Sequence, residues 1–150
     1  MFQLAGLWMA AATFLGIWWG HVGVRWLEAH SVRVGPPATV LSILGIALNL
    51  YALVAPNLTL AGVSSIVGIT LLWDAFELFR QVKRVRAGHA PANPANPRHA
   101  AYLAAGGPAT TVDLLDREPS GSPVHQGPYE GHTRPASHAG PQRQSAASTD

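Results

Sequence analysis

Residues 2–20 read FQLAGLWMAAATFLGIWWG, nineteen positions without a formally charged side chain. At 1.5 Å per residue they make about 28 Å of helix, enough to cross the hydrocarbon of a bilayer. Two further runs follow. Residues 38–55 are apolar and are punctuated by Pro36-Pro37 before and Pro56-Asn57 after. From Leu58 the chain stays apolar to Trp73, then continues through Asp74, Phe76, Glu77 and Phe79 into charged sequence. Each run is apolar around its whole circumference, whereas a soluble bundle needs helices with a polar face. The fold class expected is therefore an all-α membrane protein with three transmembrane helices, at about 2–20, 38–55 and 58–79. No Lys or Arg precedes the first run and no small-x-small site follows it, so it is expected to be retained as a helix rather than cleaved as a signal peptide.

The two halves of the chain differ sharply. Residues 1–86 hold nine charged side chains: Arg25, Glu28, Arg33, Asp74, Glu77, Arg80, Lys83, Arg84 and Arg86. Residues 87–150 hold nine of the twelve prolines and five of the seven histidines, with few large apolar residues. Such a composition buries too little to offset its ordering entropy. The expected organisation is a transmembrane domain over 1–88 and a disordered tail over 89–150, containing the tandem Pro91-Ala-Asn-Pro94-Ala-Asn-Pro97. Within the tail, 111–118 has local amphipathic content that could form a short helix on a partner. A net charge of +2 without a groove-sized basic patch argues against a nucleic-acid partner.

Orientation follows from the positive charges that flank the spans. Arg25 and Arg33 lie in the first connection, none in the second, and Arg80, Lys83, Arg84 and Arg86 follow the third span. The N-terminus is expected outside and the C-terminus in the cytoplasm, in the inner (plasma) membrane. Trp18, Trp19, Trp26 and Trp73 fall near the same interface. Beyond Glu77 the third helix becomes amphipathic, with Leu78, Val82 and Val85 on one side. Arg80, Lys83, Arg84 and Arg86 form a membrane-surface basic group suited to an anionic inner leaflet, and Gly88 with Pro91 closes the helix.

Three sets of residues are candidates for more than packing. His21, Arg25 and Glu28 share one face if the first helix continues past Gly20, and Asp74, Glu77, Gln81 and Arg84 repeat that spacing on the third. The two stripes are expected to meet as an interfacial polar cluster, with Arg25 paired to Asp74 or Glu77. Inside the membrane Asn49 needs hydrogen-bond partners, for which Ser64, Ser65 and Thr70 are available. Small residues permit close helix approach: Gly16 and Gly20 on the first span, Ala38, Ser42 and Gly45 on the second, Ala61 and Gly68 on the third. No catalytic residue, metal site or cofactor is expected: His21 and His30 are nine apart, the tail histidines at 89, 99, 125, 132 and 138 form no metal tract, and cysteine is absent.

The pattern His21, Val24, Glu28, then Trp73, Glu77, Leu78, Phe79, Gln81, Arg84, Val85, Gly88, Asn93, Pro94 and Arg98 resembles an uncharacterised family of small bacterial integral membrane proteins, classed as a domain of unknown function. The resemblance spans about residues 1–98, and the chain departs from the pattern in weaker apolar content around His89 and in its added tail. It implies the membrane fold and no mechanism. The expected role is a non-enzymatic accessory or scaffolding subunit of a membrane complex, with another membrane protein or a second copy as partner; the alternative is a small oligomeric transporter or channel.

Overall fold

The computed structural model describes residues 4–116 and contains, among them, helices and no strand. Helix α1 spans Leu4–His30, α2 Gly35–Val54 and α3 Leu58–Arg86. All three are long and apolar enough to cross a membrane. A short α4 covers Pro97–Ala104, and Leu114–Asp116 forms a single 3-10 turn inside the stretch expected to be a short helix. Residues 117 and 118 of that stretch lie outside the described residues, as does the rest of the tail.

The span boundaries are explained by local chemistry. Pro36 and Pro37 sit inside the first turn of α2 rather than ahead of it, where the amide they lack would have had no helical acceptor. The Asn57 side chain accepts from the Leu60 N–H at 2.9 Å and starts α3. At the other end of α3, His89 N–H reaches Arg84 O and Gly88 N–H reaches Val85 O, the paired bonds of a Schellman cap. Gly88 takes the φ of +73° that this cap requires, and a Cβ there would collide with Pro108 O.

Helix α3 is the centre of the bundle. It packs against both α1 and α2, which make almost no contact with each other. Gly45 and Gly68 set the α2/α3 crossing: a Cβ on Gly45 would lie 2.8 Å from Gly68 O, so only glycine lets the backbones approach this closely. On the other flank Gly16 faces Thr70 and Gly20 faces Asp74, an offset of 54 in both, so α1 and α3 run parallel in fixed register. Met9 covers Gly62 further along. Val24, Ala38, Leu41, Ala75 and Leu78 form the core where all three helices converge.

Three intramembrane hydroxyls bond back to their own helices. Thr70 donates to Ile66 O, Ser42 to Ala38 O and Thr13 to Met9 O. The Asn49 amide donates to Gly45 O at 2.8 Å, one turn back, and its carbonyl accepts from Ser65 at 3.4 Å. Ser64 is buried in the bundle.

The expectation of a disordered segment from residue 89 is corrected for residues 89–116. Ala90 and Ala92 pack with Val85 into a second small core beside Tyr102 and Leu103, and Ala92 N–H donates to Thr110 O. Small residues suffice because this layer folds onto helix ends already in place, so little new apolar area has to be buried.

Gly68→Leu should push α2 off α3 and lower the thermal midpoint in detergent, overpacking of this kind costing about 1–3 kcal/mol. Gly6→Leu meets nothing within 4 Å and should leave the midpoint unchanged. Equal behaviour of the two variants in a thermal melt followed by size-exclusion chromatography would contradict this packing.

Candidate functional site

Two polar constructions occupy the basic end of the bundle. The first begins with the carboxyl end of α1. A helix leaves its last carbonyls without intrahelical donors, and here side chains 64 to 70 residues away supply them. Asn93 Nδ2 donates to Ala29 O at 3.1 Å. Asn96 Nδ2 donates to Ala29 O at 3.0 Å and to Ser31 O at 3.1 Å. Arg98 Nη2 donates to Glu28 O at 2.7 Å and to the Glu28 carboxylate at 2.9 Å.

The same asparagines organise the chain that carries them. Asn93 Oδ1 accepts from Ala95 N–H, and Asn96 Oδ1 accepts from Arg98 N–H as the N-cap of α4. Pro97 follows in the first turn, where its ring suits the helix start. The Pro-Ala-Asn tandem, expected to be unstructured, is thus a double clasp whose two asparagines both reach Ala29 O.

His99 completes the clasp. The Asn93 backbone N–H donates to its Nδ1 at 2.9 Å, so Nδ1 is the unprotonated nitrogen and Nε2–H donates to Glu28 Oε1 at 3.0 Å. Glu28 is 1% exposed and His99 0%. A carboxylate so buried needs both partners, since an unpaired charge there would cost several kcal/mol.

The second construction is the α1/α3 interface. A cavity of about 570 Å³ is lined by His21, Arg25, Asp74, Glu77, Arg80, Gln81 and Arg84, among others. Glu77 is held by Arg84 at 2.6 Å and Arg80 at 3.5 Å, and Arg84 also donates to Gln81. The expected pairing of Arg25 with Asp74 or Glu77 is replaced by a contact with Asp113 at 3.3 Å. The register explains the loss of Asp74 as a partner, since with Gly20 level with Asp74 the Arg25 side chain starts more than a turn beyond it; Glu77 is already held by Arg84 and Arg80. Glu28 departs from the expected cluster as well, since its side chain turns away into the clasp. Asp74 faces Gly20 and is 1% exposed, and its Oδ2 has no hydrogen-bond partner among the described residues.

The basic group Arg80, Lys83 and Arg84 borders a shallow surface hollow with Phe76, Ala87 and His89. Among the described residues no group of three or more His, Cys, Asp or Glu side chains is arranged to hold a metal ion.

Residues 3–96 match the family model described as Domain of unknown function (DUF4491). The chain belongs to that family. No curated protein and no solved structure matches it. The matched region takes in all three spans, Glu28 and both clasp asparagines, and stops two residues short of Arg98.

Sequence reasoning singled out Glu28 but assigned it the wrong neighbours, and it passed over Asn96, His99 and Asp113. A usable signal was present: two Asn-Pro steps one turn apart, the second opening a helix, ahead of an arginine able to neutralise a lone glutamate.

Asn96→Asp separates the two jobs of that residue. Aspartate is as good an N-cap for α4 but cannot donate to Ala29 O and Ser31 O, and it places negative charge at the negative end of α1. The variant should be destabilised by about 1–3 kcal/mol, read as a lower thermal midpoint. Glu28→Gln should cost more, about 3–5 kcal/mol, because Arg98 is left without its counter-charge. A wild-type midpoint in both would remove the clasp from the account.

Proposed function

We propose that this membrane protein is a non-enzymatic accessory or scaffolding subunit, oriented with the basic end of the bundle in the cytoplasm, in the plasma membrane. The observation that carries the reading is the use made of the ionisable groups. Glu28 and His99, the pair most reminiscent of acid–base chemistry, are spent on holding a helix end and are closed to any substrate. The groups that remain accessible, Arg25, Arg80 and Arg84 with the half-buried Glu77, are displayed together around one cavity. A charged, membrane-level face suits recognition of another protein. The basic group on α3 favours an anionic leaflet beneath it.

The transport alternative has one observation in its favour. Asn49 and Ser65 line an open groove between α2 and α3 with Ile46, Leu53 and Leu72, and several copies would be needed to enclose it.

Purified from native membranes in mild detergent, the chain should carry a stoichiometric membrane protein that is lost on Glu77→Ala. A defined homo-oligomer with no partner, conducting ions in liposomes, would replace this reading with transport. A reporter active only outside the plasma membrane, fused after Asp116, should stay silent; activity there would reverse the orientation.

A further inference from the structure

We propose that the groove between α1 and α3 binds a lipophilic amine, with the amine's hydrocarbon lying along the groove and its ammonium on the Asp74 carboxylate. The groove is a cavity of about 570 Å³ whose walls include Trp8, Ala11, Leu15, Val63, Val67 and Leu71. This is the size and lining of a small-molecule site: a mostly apolar trough with few polar groups. It adjoins the polar cavity nearer the basic end, since Gly16, Thr70 and Asp74 border both.

The sign of the ligand's charge follows from how the neighbouring charges are used. Arg80 and Arg84 are held by Glu77, and Arg25 by Asp113. Each of these arginines at the polar end thus already contacts a carboxylate, whereas Asp74 does not contact an arginine. Asp74 alone among the buried and half-buried acids of the described residues pairs with no arginine or lysine: its Oδ2 is enclosed and lacks a hydrogen-bond partner, with His21 on the wall of the same polar cavity, while Glu28, Glu77 and Asp113 each hold an arginine. A carboxylate enclosed in this way is costly unless a donor reaches it. Gly20 lets the Asp74 carboxylate lie against α1, since a Cβ there would come within 2.8 Å of Asp74 Oδ1. Trp19, also on the groove wall, adds an aromatic face that favours a cation over an anion or a neutral alcohol.

This site goes beyond the accessory-subunit reading and does not depend on it, because the test needs the purified full chain alone. In maltoside micelles, the tryptophan fluorescence of Trp8 and Trp19 on the groove wall should change saturably with dodecylamine. Dodecanol and dodecanoate, with the same chain and a neutral or anionic head, should bind at least ten-fold more weakly. Asp74→Asn should remove that preference while leaving the thermal midpoint at or above wild type, and Ala11→Phe, which fills the trough, should abolish the response to all three compounds. Asp116→Asn, at an exposed acid that lines neither cavity, should bind as wild type. Equal binding of the three compounds to the wild-type chain, stronger binding of dodecanoate, or undiminished dodecylamine binding by a folded Asp74→Asn variant would each overturn the proposal.

Discussion

The basic end of this protein depends on how the carboxyl end of α1 is finished. A helix that projects past its neighbour cannot leave its last carbonyls bare against packed chain, and Glu28 adds a buried charge to that demand. The donors come from Asn93, Asn96, Arg98 and the neutral His99, and the counter-charge from Arg98 alone. Because one short segment supplies them all, its path is fixed. The turn after α3, the start of α4 and the small core of Val85, Ala90 and Ala92 follow from that anchoring.

Geometry explains why the clasp lies where it does. Helix α2 is 20 residues long, against 27 for α1 and 29 for α3. The close approach of Gly45 to Gly68 places the start of α2 near the level of Leu78, so the last turns of α1 and α3 extend about 10 Å beyond it. A gap beside two projecting helix ends is the space that residues 89–113 fill. The Schellman cap at Gly88 turns the chain into that gap rather than away from it.

The spans were legible because each carries its own evidence: a long apolar run reports its solvent without reference to any other part of the chain. Proline at 36 and 37, asparagine at 57 and glycine at 88 marked helix ends through local backbone chemistry, and those too were readable. The clasp was not, because its meaning lies in pairs such as Glu28 with His99, separated by 71 residues. Composition pointed the wrong way over 89–116. Proline, alanine and asparagine are what a linker contains, yet the same residues serve well where a segment must lie flat on existing helix ends and supply amide donors. The partners of Arg25 were misjudged for a related reason, since helix spacing gives the face a residue occupies but not the axial register between two helices.

That register also accounts for the state of Asp74. An offset that put Arg25 level with the acid would have neutralised it within the chain and closed the mouth of the α1/α3 groove with a salt bridge. Instead glycine faces it at position 20, and the arginine reaches outward to Asp113. Charges at helix ends that serve only as anchors face lipid headgroups or water, where solvation is cheap. Asp74 is enclosed by helices, at the inner limit of an apolar trough, with space beside it and no arginine or lysine partner. Burial of a charge without internal compensation is the arrangement by which a membrane protein can favour a cation from outside itself, because the free energy recovered when the cation arrives has not been spent on a partner already present.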